Sequence, residues 1–536
     1  MVRAPWPVSS LLSLLGSYPE VMLAIACFFV LRLLNQKVQN SKLPLSWPVV
    51  GMLPYLITQT HRIHDWCTEI LRESGYTFRF QGPWFAGGEV VITCDPANVN
   101  HVFNVNFANY PKGEDFGDIF DILGNGIFNA DAESWKNQRR MAHSLINHAG
   151  FRAFVARASR DKVSRALLPL LQGVAARNGV VDLQEVFMRF TFDSTCSLIF
   201  GSDPGSLSPD FPRAPFALAM DDAEEVILTR HIMPKMWWVI LRWVGLGTER
   251  KFAMAWETID RSVAEYVSRK REAIASQRHS PGSPKVDDGE EGTDLLTSYL
   301  RNQAEAGKRD ADFDKFLRDT TLNLMIAGRD TTSSGLAWFF WLVSTNPDVE
   351  AKLLEELHGH LSEAAASDPD ALVVFDPVEL NKMVYLHAAL CESLRLYPPV
   401  PFERKNPVKA EVLPSGIKVY EWTRVVFSLY AMGRMEGIWG KDYAEFRPER
   451  WISEKGKVKY EPSYKFLSFN AGPRTCLGKD VAFTQMKAVA AAMIYNFQFE
   501  VVQGHHVAPK VSIILHMENG LKVRVKRRRT AAAALS

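Results

Sequence analysis

Apolar and polar positions alternate over two short stretches early in the chain and follow helical spacing over most of the remainder. Residues 76–80 and 90–93 have the alternation or the β-branched composition of strands, with glycine-rich breaks between them. Residues 313–346 contain no proline and are followed by Pro347, which predicts one helix on the order of 50 Å long. The pattern therefore predicts a mainly α protein with a smaller β portion, an α+β fold.

The longest apolar run lies near the N-terminus. Residues 21–31 carry no charge, and two leucines extend the run beyond Arg32. This is short for a membrane span of about 20 residues, and a cleaved signal peptide has an apolar region of similar length. No cleavage site of the small-x-small type follows, whereas Lys37 and Lys42 match a cytosolic flank. We therefore expect a single N-terminal membrane anchor at residues 1–35.

A proline-rich hinge is predicted at residues 36–57, because closely spaced prolines stiffen the backbone and prevent a helix from continuing. One continuous domain is expected from residue 58 to residue 536. Within it, residues 279–293 are polar and rich in proline, glycine and acidic side chains, which predicts a surface insert. Residues 526–536 begin with four basic side chains and predict a flexible tail.

Charge and cysteine content exclude several functional classes. The net charge of +2 over 536 residues does not favour a nucleic-acid-binding protein, so no nucleic-acid partner is expected. The six cysteines are scattered, without the spacing of a disulfide framework or of a Cys-x-x-Cys metal site. This cysteine pattern is typical of a reducing compartment.

One cysteine lies in a run of unusual chemistry, Phe-Asn-Ala-Gly-Pro-Arg-Thr-Cys-Leu-Gly, which begins at Phe469. A thiolate from Cys476 can be the axial ligand of a haem iron, and thiolate ligation favours cleavage of the O–O bond. Gly472 and Gly478 permit close approach to a flat macrocycle, and Arg474 offers a cationic fork to a propionate. Phe469 can shield the sulfur from water. A lone cysteine is more often a small buried apolar residue, but the constrained positions around this one favour the ligand.

The middle of the predicted long helix reads Ala-Gly-Arg-Asp-Thr-Thr from Ala327. Gly328 costs about 1 kcal/mol relative to alanine in a helix interior, so we expect the helix to open locally and form a groove for dioxygen and water. Ala327 and Thr331 share one face, and Asp330 is expected beside the hydroxyl as a proton donor. For this segment alone, a threonine-rich core helix is the simpler interpretation.

Two further segments pair charged side chains with helical spacing. Glu392 and Arg395 lie at i and i+3 in a mostly apolar helix, which predicts a partly buried ion pair, and Arg450 is a candidate third partner. Trp135 and Arg139 are hydrogen-bond donors one turn apart and suit an anionic propionate. Taken alone, the latter segment is equally a solvated basic helix face.

All four segments are similar to motifs of the cytochrome P-450 superfamily and occur in that family's order. The resemblance implies the cytochrome P-450 fold, with a single large haem domain and an N-terminal membrane anchor. It also implies haem b as the cofactor, its iron held by the axial thiolate of Cys476, and consumption of O2. Electrons would come from NADPH through a membrane-bound cytochrome P-450 reductase. The implied location is the endoplasmic reticulum membrane, with the catalytic domain in the cytosol.

The resemblance also assigns roles to the motif residues. Asp330 and Thr331 would deliver protons. Glu392, Arg395 and Arg450 would form a structural network. The residues that would contact the haem are Trp135, Arg139, Ala327, Gly328, Phe469, Gly472, Arg474, Cys476 and Gly478. We further expect basic side chains near these segments to attract an acidic flavin domain of the reductase; they are Lys136, Arg140, Lys465 and Lys479.

Within the superfamily, the runs that begin at Gly126 and Tyr430 are similar to a plant clan of fatty-acid ω-hydroxylases and mid-chain alkane hydroxylases. The expected activity is therefore hydroxylation of a hydrophobic substrate, a long-chain alkane or fatty acid of cuticular wax, cutin or suberin. Members of the same clan oxidise specialised metabolites, including phenol coupling of alkaloid precursors, and this remains an alternative. A non-catalytic haem-binding protein is the remote alternative. The intact Asp330–Thr331 pair favours hydroxylation.

The substrate-binding region is predicted in two places. Residues 211–244 are apolar and aromatic and are expected to form a mobile lid that dips partly into the membrane. Taken singly, each of these residues is equally consistent with an ordinary helix core. The candidate pocket walls near the haem are Pro399, Val400, Phe402, Leu515 and Met517.

Overall fold

The computed structural model describes residues 43–47, 49–83, 89–279, 293–306, 311–361 and 371–528, together with Cys27 and Val30. Apart from these two positions, the expected anchor at residues 1–35 lies outside the described part of the chain. Most of the insert at residues 279–293 and the last eight positions of the tail also lie outside it. Within the described residues, no helix combines the length and the apolar character needed to cross a membrane.

Helices dominate the described chain, which confirms the predicted fold class. The helices are α1 Leu53–Gln59, α2 Ile63–Glu73, α3 Pro96–Asn100, α4 Glu114–Ile119, α5 Ala132–Ile146, α6 Ala149–Lys162, α7 Leu168–Ala176, α8 Leu183–Phe200, α9 Pro215–Ile232, α10 Lys235–Val244, α11 Gly247–His279, α12 Leu295–Ala306, α13 Ala311–Thr345, α14 Pro347–Gly359, α15 Pro377–Lys382, α16 Val384–Leu396, α17 Leu429–Met432, α18 Glu436–Trp439 and α19 Lys479–Asn496. Short 3₁₀ turns at Pro448–Trp451 and Gly472–Arg474 also bear on the site.

The strands form three small sheets. They are β1 Thr77–Phe80, β2 Val90–Thr93, β3 Val180–Asp182, β4 Phe402–Lys405, β5 Glu411–Val412, β6 Lys418–Val419, β7 Arg424–Ser428, β8 Phe497–Val501 and β9 Lys522–Arg527. The largest sheet has the order β1-β2-β7-β4, the second β3-β9-β8 and the third β5-β6. Strands β2 and β7 are parallel, whereas β1 and β4 are antiparallel to their neighbours. The two strands predicted from the sequence, β1 and β2, are confirmed.

The long helix α13 is the central element of the helical part. It spans 35 residues, which confirms the predicted helix to within a few positions. Its N-terminal half contributes Leu317, Leu322 and Met325 to one apolar core, and its C-terminal half contributes residues 336–343 to another. A third core lies under the four-stranded sheet. Since α13 belongs to two cores, side chains near its middle lie between them.

Two predicted boundaries are corrected by the structure. The hinge was expected to extend to residue 57, but Met52 is already buried and its N–H donates to the carbonyl of Gln81 over 2.7 Å. The tail was expected from residue 526, but β9 continues to Arg527 because it pairs with β8. The Arg528 guanidinium then donates to the carbonyl of Phe497 over 3.0 Å. Backbone pairing and packing therefore extend the ordered domain in both directions.

Candidate functional site

Cys476 lies in the loop before α19, and close backbone contacts fix the shape of this loop. The N–H of Cys476 donates to the carbonyl of Phe469 over 2.8 Å. Gly472 has φ +65°, and a Cβ at this position would overlap the carbonyl oxygen of Phe103. Only glycine fits there, because a side chain would meet rigid backbone and would also strain φ.

The thiol of Cys476 has the surroundings of a metal ligand. The residue is accessible, yet protein atoms surround the sulfur closely enough that desolvation raises the pKa of the thiol. The N–H of Gly478 and the positive charges of Arg139 and Lys479 act in the opposite direction and lower the same pKa. Burial is the largest effect, so the thiol is favoured while no metal is bound, and the hydrogen bond and the two cations are the groups that would support a thiolate ligand.

The donors that were expected to face a propionate come together around one aromatic ring. The Arg474 guanidinium lies 4.7 Å from the ring centre of Trp135, and the Arg139 guanidinium lies 5.7 Å from it. Arg139 also donates to the carbonyl of Thr475 over 2.6 Å, which connects α5 to the Cys476 loop. Arg474 is oriented by Asp131, whose carboxylate oxygen lies 2.6 Å away. Asp131 was not predicted from the sequence.

Lys405, at the end of β4, is a second residue that was not predicted from the sequence. It is fully buried, and its Nζ has no hydrogen-bond partner among the described residues. Burial, assisted by the charge of Lys112, lowers the pKa of Lys405 to about 7. The Nε of Arg474, whose charge also lowers this pKa, is likewise buried without a partner among the described residues. The alternation of β4, which turns Lys405 inward, was the only available sequence signal.

This pair of unpartnered buried donors fits an anionic ligand. Leaving buried cationic groups unpaired is costly, and a carboxylate would satisfy them. Haem carries two propionates, and the donors belong to the same cluster as Trp135 and the Cys476 loop. The residues present therefore fit haem, with a thiolate and a set of propionate donors in one region.

One face of α13 remains accessible while the rest of the helix around it is buried. Between Thr320 and Thr332, the only partly accessible residues are uncharged; they are Leu324, Ile326, Ala327, Gly328 and Thr331. Four of these five recur at the i, i+3, i+4 and i+7 spacing of a single helix face. The face carries the hydroxyl of Thr331, which donates to the carbonyl of Ala327 over 2.6 Å. Asp330 is fully buried behind it.

The role expected for Gly328 is corrected. The helix is continuous from Ala311 to Thr345, so α13 does not open at this glycine. A Cβ on Gly328 would instead lie 2.9 Å from the Cγ2 and Oγ1 atoms of Thr195 on α8. The physical reason for glycine is therefore the close approach of two helices, which offsets its unfavourable helix propensity of about 1 kcal/mol.

Glu392, on α16, is the acceptor at the centre of the expected ion-pair network. Arg395 donates to its two carboxylate oxygens over 2.7 and 2.8 Å, and Arg450 donates over 3.2 Å. The indole N–H of Trp451 adds a donor at 2.8 Å that was not predicted from the sequence. Asp442 holds Arg450 from the other side at 2.9 Å. Both predicted arginines of the network therefore contact Glu392.

The network bears on the site because α16 contacts the cysteine loop directly. The hydroxyl of Ser468 donates to the carbonyl of Leu394 over 2.8 Å. Ser468 immediately precedes Phe469, the residue whose carbonyl accepts from the Cys476 N–H. Fixing α16 through Glu392 therefore also fixes the loop that holds the thiol.

The five candidate pocket residues separate into different environments. The N–H of Leu515 donates to the carbonyl of Pro399 over 2.8 Å, and the Leu515 carbonyl accepts from Ser334 and Trp338 of α13. Met517 is buried and bonded to α8 through Gln184. The structure thus places Leu515 and Pro399 beside α13, about one turn beyond Thr331.

The other two candidates lie at β4. The ring of Phe402 stacks on the imidazole of His64, with 5.2 Å between the ring centres. Phe402 therefore packs toward α2, and Val400, two positions earlier, is half-buried. The contact that the structure shows for the Phe402 ring is therefore with His64 of α2 and not with α13.

The expected lid consists of α9, α10 and the connection between them. Trp238 is buried between Arg230 and Arg242, whereas Trp237 is 56% and Trp243 88% exposed. The tryptophans of α10 therefore lie on opposite faces, and the outward face is apolar.

The chain is similar to known proteins over nearly its whole length. The family model described as cytochrome P450 matches residues 42–524. The chain belongs to the cytochrome P450 family. A noroxomaritidine synthase of Narcissus aff. pseudonarcissus MK-2014 is 44% identical over 514 residues, covering 95% of this chain and 97% of the relative. The alkane hydroxylase MAH1 of Arabidopsis thaliana is 42% identical over 519 residues, covering 96% of this chain and 100% of the relative.

A third relative, cytochrome P450 86B1 of Arabidopsis thaliana, is 41% identical over 510 residues, covering 94% of this chain and 89% of the relative. The protein is therefore a cytochrome P450 monooxygenase, and the predicted family and enzyme class are confirmed. The family implies haem-thiolate chemistry that uses O2 and an electron donor.

Proposed function

We propose that this monooxygenase hydroxylates a long aliphatic chain, an alkane or a fatty acid. The observation that carries the proposal is the accessible face of α13, on which apolar Leu324 and Ala327 share one side of the helix with the hydroxyl of Thr331. The charged neighbours Arg329 and Asp330 are buried on another side of the helix. A face without charge suits a substrate without charge near the reacting carbon. The similarity to an alkane hydroxylase over nearly the whole chain supports the same substrate class.

The proposed cofactor is haem b. Cys476 would hold the iron, while Lys405, Arg474, Arg139 and Trp135 would bind the propionates. Haem bound in this way supplies the oxygen chemistry, and thiolate ligation favours O–O bond cleavage. The chain itself orients the substrate against the apolar face of α13, and the helices on either side exclude water.

Proton delivery is proposed for the Asp330–Thr331 pair. The hydroxyl of Thr331 lies on the accessible face and can rotate from the Ala327 carbonyl to donate to a group bound there. Asp330 is the adjacent buried acid that would return a proton to this hydroxyl. The role of Thr331 rests on its place as the polar residue of the accessible face, and the role of Asp330 rests on its burial next to Thr331.

A second substrate class is kept because of one comparison. The relative named for noroxomaritidine synthesis is 44% identical and the alkane hydroxylase 42% identical, so overall similarity does not separate them. Oxidation or phenol coupling of a plant specialised metabolite, such as an alkaloid precursor, is therefore the second candidate. The presence of both Asp330 and Thr331 favours hydroxylation, because coupling inserts no oxygen atom.

The electron donor is proposed to be an NADPH-dependent cytochrome P450 reductase. Of the four basic residues expected to attract it, Lys136 and Arg140 lie on α5, and among the described residues their side chains bond to neighbours on that helix. Lys479 lies 5.5 Å from the ring centre of Phe469, beside the cysteine loop. Lys465 is held by Glu461 at 2.9 Å and is less available. We therefore assign the docking contact chiefly to the outer face of α5.

We also propose attachment to the endoplasmic reticulum membrane. The outward face of α10 exposes Met236, Trp237, Ile240 and Trp243. Exposed tryptophans and apolar side chains on one face of a helix are typical of contact with a lipid interface. This face would complement an anchor at residues 1–35.

The experiment is turnover of purified protein with reductase, NADPH and O2 on alkanes, fatty acids and phenolic amines in parallel. Hydroxylated aliphatic products are expected, and the Cys476→Ala variant should form none of them. Coupled phenols without aliphatic products would establish the second candidate and refute the first.

A further inference from the structure

A cluster of ionisable side chains lies where α9 meets α13, on the side of Asp330 away from the accessible face. Asp221 and Glu224 are one helical turn apart on α9, and Arg329 precedes Asp330 on α13. The Arg329 Nη1 lies 2.7 Å from a carboxylate oxygen of Asp221 and 3.1 Å from one of Asp330. Polar atoms of Glu224, Asp330 and His516 all lie within 4.8 Å of one another.

The cluster contains more acid than base. Three carboxyl groups face one guanidinium, and both Arg329 and Asp330 are fully buried. Neither carboxylate oxygen of Asp330 accepts a well-aligned hydrogen bond from a described residue, and the same holds for the Oε1 atom of Glu224. Two ionised carboxylates at this separation and burial would repel strongly, so the arrangement favours one proton shared between Glu224 and Asp330.

The electrostatics place that proton on Glu224. Burial, followed by the charge of Asp330, raises the pKa of Glu224 well above its usual range, although Arg329 acts against this. His516 is not a competing donor, because burial lowers the pKa of its imidazole and leaves it neutral. The further charge that faces His516 is Lys510, which also lowers the pKa of the imidazole. Glu224 is therefore a neutral acid directly beside the buried Asp330.

Glu224, Asp330 and His516 are also residue types that bind metal cations. A divalent ion prefers several oxygen ligands with excess negative charge. Here the guanidinium of Arg329 already lies 3.1 Å from Asp330 and supplies the positive charge. A second cation would meet repulsion, which leaves proton transfer as the chemistry that the cluster supports.

A path from solvent reaches Glu224 along α9. The residue is half-buried, with one buried carboxyl oxygen, and the Asp221 side chain one turn earlier is 39% exposed. Asp330 itself is sealed from solvent. A proton that reaches Asp330 by this route therefore passes through Glu224.

We propose that Glu224 is the proton donor that resupplies Asp330 from solvent during turnover. The inference rests on the proposed role of Asp330 and Thr331. For each O2 consumed, the reductase supplies two electrons and the solvent two protons; one oxygen atom enters a substrate C–H bond and the other leaves as water. In each transfer the O–H bond of Glu224 breaks, its proton binds to an oxygen of Asp330, and the Glu224 carboxylate then takes up one of the two solvent protons, from a hydronium ion.

The test compares Glu224→Gln with Glu225→Gln. The amide at position 224 keeps the shape of the side chain but has no transferable proton, whereas Glu225 is exposed on α9 and is held by Lys251 at 2.8 Å. For Glu224→Gln we expect kcat to fall on the order of tenfold or more, with KM unchanged and a larger solvent isotope effect. Glu225→Gln should match the unmodified enzyme. Glu224→Asp, which retains an acid, should recover part of the loss.

The pH profile adds a signature that a structural role would not produce. Because the donor must be protonated, kcat should stay constant at low pH and decrease as the pH rises through the pKa of Glu224. This decrease should be absent in Glu224→Gln. Infrared spectra recorded without turnover should show the C=O stretch of a protonated carboxyl, present in Glu225→Gln and lost in Glu224→Gln. The reduced carbon-monoxide spectrum confirms that each variant is folded.

The outcomes separate the two proposals. Unchanged kcat, isotope effect and pH profile in Glu224→Gln, or the absence of the carboxyl band from the unmodified protein, would overturn the role of Glu224. If Asp330→Asn and Thr331→Ala also turn over normally, the proposed function of that pair fails instead.

Discussion

Replacement of Glu392 by glutamine tests whether the buried network stabilises the haem domain. Glu392 is fully buried and accepts from Arg395, Arg450 and Trp451. The amide has nearly the same shape, but it removes the negative charge and brings two N–H donors toward guanidinium groups that also donate. Breaking a buried ion pair by removing one partner costs about 3–5 kcal/mol. We expect the free energy of unfolding to fall by about that amount.

The measurement is urea unfolding of the haem-loaded protein, and two variants calibrate it. Glu257→Gln removes an exposed helical pair with Arg261, in which the two charged atoms lie 2.7 Å apart; such pairs contribute about 0–1 kcal/mol. Trp451→Phe deletes one donor at 2.8 Å from the Glu392 carboxylate, for which about 1.5–3 kcal/mol is expected. The predicted order of destabilisation is Glu392→Gln, then Trp451→Phe, then Glu257→Gln.

A spectroscopic readout connects the network to the thiol. Since Ser468 joins α16 to the cysteine loop, Glu392→Gln should also increase the fraction of protein that lacks the thiolate-type carbon-monoxide spectrum. A stabilising role for the network is refuted if Glu392→Gln is no more destabilising than Glu257→Gln and leaves this spectrum unchanged.

Three other predictions follow from single contacts. Gly472→Ala should prevent stable haem binding, because the added Cβ would meet the carbonyl of Phe103. Gly456→Ala is the control, since Gly456 also has a positive φ of +69° but no atom lies within 4 Å of the position of its Cβ. This control should lower the free energy of unfolding by only about 1–2 kcal/mol. A bound propionate would raise the pKa of Lys405 above its value of about 7 in the free site, so haem affinity should be highest below pH 7 and fall as pH rises. Haem affinity is measured from the transfer of haem to apomyoglobin, and in Lys405→Met this affinity should no longer fall as the pH rises. Trp243→Ser should weaken binding to phospholipid vesicles in a sedimentation assay without changing the carbon-monoxide spectrum.

Features that depend on nearby residues were predictable from the sequence. The Cys476 loop, the Glu392–Arg395 pair and the long helix α13 are each defined by spacing within one segment. The contact of Arg450 with Glu392 was predictable only through the family resemblance, because the two residues lie on separate elements.

Residues that act through distant contacts were missed. In the sequence Lys405 is an ordinary lysine of a strand, and only the fold places it near Arg474. Asp131 is likewise an ordinary acidic residue of a loop until the fold brings it into contact with Arg474. Glu224 occupies one of many polar positions on α9, and only the approach of α13 brings it to Asp330. Gly328 was assigned to the wrong cause, because the neighbour that excludes a side chain, Thr195, belongs to another helix.

The parallel pairing of β2 with β7 has a consequence for how the polypeptide is made. Val90 pairs with Arg424 and Thr93 with Phe427, so β2 obtains one of its two neighbours only after most of the chain has been synthesised. Until then β2 has an open edge of unpaired backbone groups, which is a site for aggregation. The lysine-bearing strand β4 also joins the sheet through β7. A ribosome-bound chain that ends before residue 424 therefore lacks both a closed sheet and a positioned Lys405, and haem capture must follow the completion of β7.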